Sequence, residues 1–394
     1  MSKWQKFLLF SLSHLLVACV AVLLTFSFRV GYSSTDSMSK LEELNQLIQS
    51  HYIGELDETK MMDAAAAGMV AGTGDRWSYY ISAKDMAEHQ QQKKNVYVGI
   101  GVTISMREDG LGADILRVEP GGSAKEAGIL PGDILQAVEG QPLSEIGLDG
   151  AGELIKGQEE TQVKITVLRN EQQLEFTLTR KKIQVEVAQG QMLENDIGYI
   201  RIDNFNSQCA AQSIQWTSSL LEQGAKALIF DVRYNGGGYA SEMVELLDYL
   251  LPEGDLFISE DYLGKVEVET SNAKCVHVPM VVLVNDNSYS AAEFFAAALR
   301  EYDKAKIVGI PTTGKGYFQN TYTLSDGSAV ALSVGKYFTP KGVSLAEVGG
   351  LTPDRIVEVD EQTAAAIYSQ TLDLMEDPQV LAAISLLQEQ QIDS

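Results

Sequence analysis

MVVLVNDNSYSAAEFFAAALREYDKAKIVGIPTTGKGYFQ, residues 280–319, holds both a fold and a chemistry. The apolar run Met280–Val284 belongs to a buried strand expected over Val278–Val284. Asn285–Asn287 make a polar turn, and an alanine-rich helix is expected over Ala291–Tyr302. A further strand, Ala305–Gly309, follows. Strand, helix and strand in that order read as a crossover unit of an α/β sheet. Ser290 falls where the first strand gives way to the helix. Lys315 follows between two glycines, and Gln319 stands four residues later.

A serine hydroxyl is a poor nucleophile until a neighbouring base takes its proton. Lysine serves as that base when burial lowers its pKa enough to leave it neutral. At a helix start Ser290 also meets free N–H groups and the positive end of the dipole, which favour developing negative charge. The Ala291 N–H is then one oxyanion donor. The turn Gly236-Gly237-Gly238, after the buried strand Ala227–Val232, supplies a second source of donors. Serine at such a junction is more often only a helix cap, and Ser288 competes as nucleophile. Gln319 could accept a hydrogen bond from Lys315 and fix its direction, the part a third residue plays in a triad. Gly309 to Lys315 also imitates a phosphate-binding loop. Gly316 stands where Ser or Thr would hold magnesium, however, and strand rather than helix follows.

Working outward, residues 190–360 alternate strands and helices. Gly198–Ile202, Ala227–Val232, Val278–Val284 and Ala305–Gly309 read as strands, with helices over Ala210–Gln223 and Ala240–Leu251. Gln319–Leu324 and Ala329–Val334 are expected to complete the sheet. Residues 362–390 read as helix, broken at Asp377-Pro378.

Upstream, residues 95–183 are short β-type runs between Gly/Pro turns: Val96–Ser105, Ala113–Val118, Asp133–Val138, Gln162–Arg169 and Gln173–Thr179. The segment from Val118 to Leu135, VEPGGSAKEAGILPGDIL, closely resembles the corresponding part of a PDZ domain. The resemblance places Tyr97, Val98, Gly99, Ile100 and Gly101 at the carboxylate-binding loop, where backbone N–H groups would meet a peptide's C-terminus and the peptide would add as a strand. A module that merely braces the rest of the chain is the alternative.

Residues 38–92 read as helices, with Asp57 capping one over Met61–Met69, and are taken as a packing arm without chemistry. Before them, Phe7–Phe28 is a nearly uncharged 22-residue stretch. It is long enough to span the hydrocarbon of a bilayer. Lys3 and Lys6 precede it, which puts the N-terminus in the cytoplasm and the remainder outside. A cleaved signal peptide, or lipidation at Cys19, is the rival reading.

Formal net charge is -24, with no basic footprint for nucleic acid. Four histidines, His14, His51, His89 and His277, are too scattered to suggest a metal site. No metal and no cofactor is expected. Cys209 and Cys275 could form a disulfide or stay free.

The chain resembles the C-terminal processing peptidase, or tail-specific protease, family, which embeds a PDZ domain before a Ser/Lys/Gln core. The resemblance runs over residues 38–390. The family's S-A-S-A-S-E appears as Ser288 to Glu293, its G-K-G-x-x-Q as Gly314 to Gln319, and its D-x-R-x-N-P-G-G as Asp231 to Gly238. Ser325 to Ala329 matches S-D-G-S-A. Three departures stand out: Tyr289 for a small residue, Ala292 for serine, and Gly236 for proline. The resemblance implies a multidomain α+β chain: an N-terminal membrane helix or signal segment (1–29), a linker and helical arm (30–92), a β-barrel-like PDZ domain (93–184), an α/β crotonase- or Clp-protease-like peptidase core (185–360) and a helical end (361–394). It implies catalysis by Ser290, Lys315 and Gln319, with Ala291, Gly236, Gly237 and Gly238 at the oxyanion. Expected partners are proteins with unstructured apolar C-termini and the membrane; self-association stays open. The expected location is the cell membrane, single-pass, with the catalytic part extracytoplasmic. The competing readings are a non-enzymatic PDZ scaffold and a trypsin-like protease. The latter would need a G-x-S-G-G serine motif, which does not occur.

Overall fold

The computed structural model describes residues 35–392 except Glu108, with side chains from Ser39 to Glu389. The expected membrane segment Phe7–Phe28 lies outside the described residues. Among those residues, no helix is long and apolar enough to cross a membrane. The chain divides into two units at Gly68 and Met69. The first contains helix Thr35–His51 and most of helix Glu58–Ala71. Asp57 caps the latter, its Oδ1 accepting the Lys60 N–H at 2.9 Å.

The core of the second unit is a six-stranded sheet. Ala188–Leu193 pairs antiparallel with Ile197–Ile202; Ala227–Asp231, Met280–Val284, Ala305–Gly309 and Arg355–Ile356 then follow in parallel. The central strands bury both faces, as parallel strands do. Leu228, Phe230, Met280 and Val282 pack into one apolar cluster with residues of helices Cys209–Glu222, Ala240–Leu250 and Ala291–Glu301. The alternate residues Ala227, Ile229, Val281 and Leu283 meet Val380, Ala383, Ile384 and Leu387 of helix Pro378–Ile392.

Two strands expected in this sheet lie elsewhere. Tyr317–Thr323 and Ala329–Phe338 form an antiparallel hairpin in a separate five-stranded sheet with Tyr79–Ile81, Gly254–Asp261 and Val266–Ser271. The tight turn around Gly327 reverses the chain, and such a reversal cannot add a parallel strand. Tyr79–Ile81 also corrects the purely helical reading of residues 38–92.

Residues 102–179 hold an antiparallel sheet in the order Val102–Met106, Ala113–Val118, Ile134–Val138, Gln162–Arg169, Gln172–Thr179. Helix Leu143–Ile155 packs on it, and Leu143, Ala151 and Ile155 enter its core. The run expected as one strand, Val96–Ser105, is two. Val96–Gly99 pairs with Lys181–Gln184, and Val102–Met106 pairs with Ala113–Val118. Gly101, at φ +87°, breaks the run.

Candidate active site

Ser290 stands between strand Met280–Val284 and helix Ala291–Glu301 with φ 58° and ψ −126°. A non-glycine residue so placed is strained, a condition that gathers at functional turns. It resembles the sharp elbow that lifts a nucleophile off a strand end. Ser290 is 8% exposed. Its competitor is otherwise engaged: the Ser288 hydroxyl donates to the Val232 carbonyl at 2.7 Å and accepts the Asn285 N–H at 2.9 Å. Ser288 therefore shapes the turn.

Glu293, fully buried on the first turn of the helix, ties the site together. Its Oε2 accepts the Ser290 N–H and the Lys315 N–H, each at 2.9 Å. Its Oε1 accepts the Gly314 N–H at 2.7 Å and the Thr312 hydroxyl. One carboxylate thus fixes the serine turn and the lysine loop to each other. The motif holding Ser290 contained this glutamate, but its role needed the fold to become visible.

The glycine turn lies against the serine. A Cβ built on Gly237 would sit 2.8 Å from Ser290 Cβ and 3.0 Å from the Ala291 nitrogen, so no larger residue fits there. The Gly237 N–H donates to Asn235 Oδ1 at 2.8 Å. The turn is anchored from below by buried charges. Arg233 reaches Asp231 at 2.6 Å, Asp377 at 2.8 Å and Gln379 at 2.9 Å. Burial pushes the Asp231 carboxyl up, but the charge and hydrogen bonds of Arg233 outweigh it and hold it below the usual range.

Lys315 has its pKa lowered to about 8. Burial is the largest cause, and Lys93 adds repulsion; Asp75 and Glu293 pull the other way, and Arg76 lowers it further. Its ammonium lies 4.7 Å from the Trp77 ring centroid and 5.9 Å from that of Tyr289. The described contacts of Lys315 Nζ are with these rings and not with Ser290 or Gln319. Gln319 donates its amide N–H to the Tyr317 carbonyl at 3.2 Å and to Ser333 Oγ at 3.0 Å.

Ser333 leads back to a segment that sequence reasoning passed over. The Ser333 N–H donates to Ser78 Oγ at 3.0 Å, and Ser78 Oγ donates to Asp75 Oδ2 at 2.6 Å. The Trp77 N–H donates to Asp75 Oδ1 at 3.0 Å. Burial raises the Asp75 carboxyl, but hydrogen bonds from Ser333, Ser78 and Trp77 win and hold it below the ordinary range. Asp75, Trp77 and Ser78 therefore wall the site, correcting the view of residues 38–92 as packing alone. Nothing local to Gly74-Asp75-Arg76-Trp77 announces this, because the site residues this segment meets, Tyr289, Lys315 and Ser333, are more than two hundred residues away.

In the loop expected to bind a peptide's C-terminus, the Ile100 carbonyl accepts the Ala124 N–H at 2.9 Å, and the Gly101 carbonyl accepts the Glu119 N–H at 2.9 Å. Ile100 is buried, as is the Gly99 backbone. Burial, with Glu119 close by, pushes the Tyr97 phenol up to about 12. Val98 pairs with Lys182. Strand Val102–Met106 forms the edge of its sheet. Cys209 and Cys275 are free thiols. Burial pushes the Cys209 thiol up to about 12.

Three family profiles match the chain: Peptidase family S41 over residues 196–357, PDZ domain over 115–169, and Activating protease CtpB N-terminal domain over 27–85. The Carboxy-terminal processing protease CtpA of Bacillus subtilis is 33% identical, with 79% of this chain and 67% of that protein covered. The Probable CtpA-like serine protease of Staphylococcus aureus strain COL is 27% identical, with 94% of this chain and 76% of that protein covered. A solved structure described as an S41 protease, from Bacteroides fragilis, superposes with a TM-score of 0.57 at 16% identity, covering 86% of this chain and 92% of that one. At that identity the last likeness concerns the fold alone.

Proposed function

The chain belongs to peptidase family S41, and from that premise we propose that it is a membrane-anchored, extracytoplasmic endopeptidase in which Ser290 attacks and Lys315 is the base. That it is a serine-type peptidase acting on proteins follows from the family. The observation that carries the finer assignment is the Glu293 carboxylate. It binds a strained serine at a helix start to a lysine whose burial brings its pKa to about 8. At neutral pH roughly one in ten such lysines is unprotonated, against roughly one in several thousand for an ordinary lysine.

In the proposed reaction Lys315 leaves the rings and takes the Ser290 proton as Oγ bonds to the peptide carbonyl carbon. The carbonyl oxygen takes the electron pair and is held by the Ala291 N–H and amides of the Gly236–Gly238 turn. For Gly237 this means exchanging Asn235 Oδ1 for the oxyanion. The C–N bond then breaks as Lys315 gives its proton to the departing amine; water next attacks the acyl carbon while Lys315 takes its proton, and Lys315 returns that proton to Ser290 Oγ as the C–Oγ bond breaks and the acid leaves. Gln319 orients the amine through its amide oxygen, its nitrogen being held by Tyr317 and Ser333.

The PDZ domain selects substrates by their C-termini in this reading. The edge position of Val102–Met106 supports it, because an edge strand has backbone groups left to pair with an added peptide. The anchor is Phe7–Phe28, supported by its length and by Lys3 and Lys6 before it. The test is cleavage of an unfolded protein with an apolar C-terminus by the chain, Ser290→Ala and Lys315→Ala. Cleavage by the parent alone is expected. Retained activity in either variant contradicts the assignment.

A further inference from the structure

Two of the chain's departures from its family's pattern are one structural change. A Cβ on Gly236 would sit 2.5 Å from the Tyr289 hydroxyl oxygen and 2.8 Å from its Cζ. The tyrosine ring therefore lies over Gly236, in space that a side chain or a proline ring there would enter. The Tyr289 N–H is tied to the Asn235 carbonyl at 3.1 Å, which fixes the ring's origin. Its face meets the Trp77 ring, with centroids 5.6 Å apart and planes at 37°. Lys315 Nζ lies within cation–π reach of both.

We propose that Trp77 and Tyr289 form an aromatic box that positions Lys315 and holds its ammonium off Ser290 before substrate arrives, with Gly236 as the space the box requires. The inference rests on the reading of Lys315 as the base. A ring face attracts a cation and has little hold on a neutral amine. The box therefore stabilises the protonated, idle lysine against the working one. Trp77 is well supported for this work, since Asp75 and Ser78 fasten its segment to Ser333. The other charges around Lys315 are Lys93 on helix Met86–Lys93, Asp75 and Arg76 beside Trp77, and Glu293 on the serine helix. Arg76 lies 4.2 Å from the same Trp77 ring and competes for it. Trp77 and Tyr289 are positioning residues, since they act through Lys315.

The decisive comparison is Trp77→Phe against Trp77→Leu. Both remove similar bulk, and only phenylalanine keeps a ring face. The pH dependence of kcat/KM is measured for each, with thermal melts to establish folding. The leucine variant's rising limb is expected about 0.4–1 pH unit below that of the phenylalanine variant, the span a cation–π contact of ordinary strength produces. Tyr289→Phe against Tyr289→Leu repeats the comparison and decides it if the Trp77 variants do not fold. Gly236→Ala should push the Tyr289 ring aside and lower the limb in the same sense. Limbs that coincide for phenylalanine and leucine in both pairs overturn the inference. Lys315→Ala run alongside separates the two questions. Activity surviving in Lys315→Ala rejects the lysine as base, whereas an inactive Lys315→Ala with coincident limbs rejects the box alone.

Discussion

Ser290 and Lys315 donate their backbone N–H groups to the same oxygen, Oε2 of Glu293, each at 2.9 Å. Two residues 25 positions apart are thereby held by a third that is itself fully buried. Glu293→Gln would replace one acceptor oxygen with an NH₂ group facing N–H donors. It is expected to cost about 1–3 kcal/mol in a urea unfolding series, as leaving buried polar groups unpaired does. The turnover of the folded fraction should fall at least tenfold, because the proposed nucleophile and base lose their common anchor. A variant with unchanged stability and turnover would show that Glu293 is incidental.

The rate should report the lysine. With Lys315 near pKa 8, kcat/KM is expected to rise with pH through a midpoint near 8. The sign follows from the chemistry, since only the unprotonated amine can take the serine proton. A profile that turns instead near the ordinary histidine value of about 6.5 would point to another base.

The same burial predicts a stabilising loss-of-function change. Lys315 has a folded pKa of about 8 against a model value of 10.5, so between those values the unfolded chain binds more protons and the wild type gains stability as pH rises. Below about 8 the full penalty of the buried ammonium is present. Lys315→Met removes it and is expected to stabilise the chain by about 1–2 kcal/mol at pH 7, allowing for partial exposure of the lysine. The advantage should shrink between pH 8 and 10.5, as read by thermal melts across that range.

Asp377 is 2% exposed and lies 2.8 Å from Arg233, which precedes the glycine turn by three residues. Asp377→Ala is expected to cost near the lower end of about 3–5 kcal/mol, since Asp231 still pairs with Arg233. Urea midpoints measure the loss, and turnover of the folded protein should fall as the turn shifts.

The proposed selection by the PDZ domain has a direct chemical handle. Two peptides with the same sequence, one ending in a free carboxylate and one amidated, should differ about tenfold or more in KM with kcat little changed, as loss of one charge-assisted contact predicts. Equal KM values would leave the module as a brace.

Residues 280–319 were legible because their signals are local: an apolar run, a turn, a helix and two glycines around a lysine. The strands at Ala113–Val118, Gln162–Arg169 and Ala305–Gly309 were legible for the same reason. Tyr79–Ile81 was not, because three residues become a strand only by pairing with Ala329–Ala331. The hairpin Gly254–Asp261 and Val266–Ser271 was also missed, since the latter strand is mostly exposed and its Val-Glu alternation lasts only from Val266 to Glu269. The break at Gly101 was hidden inside an otherwise continuous β-type run. Trp77 stood in a stretch with no motif, and its role depends on a fold that returns it to Lys315.

The most direct test of Ser290 as nucleophile and Lys315 as base is covalent labelling. The chain is treated with a serine-reactive fluorophosphonate between pH 6 and 10, and the modified peptide is identified by mass spectrometry. A single adduct on Ser290 is expected, with a labelling rate whose midpoint lies near pH 8 and a loss of at least a hundredfold in Lys315→Ala, the scale of general-base catalysis. An adduct on Ser288, or labelling of Ser290 that does not depend on Lys315, would contradict the assignment.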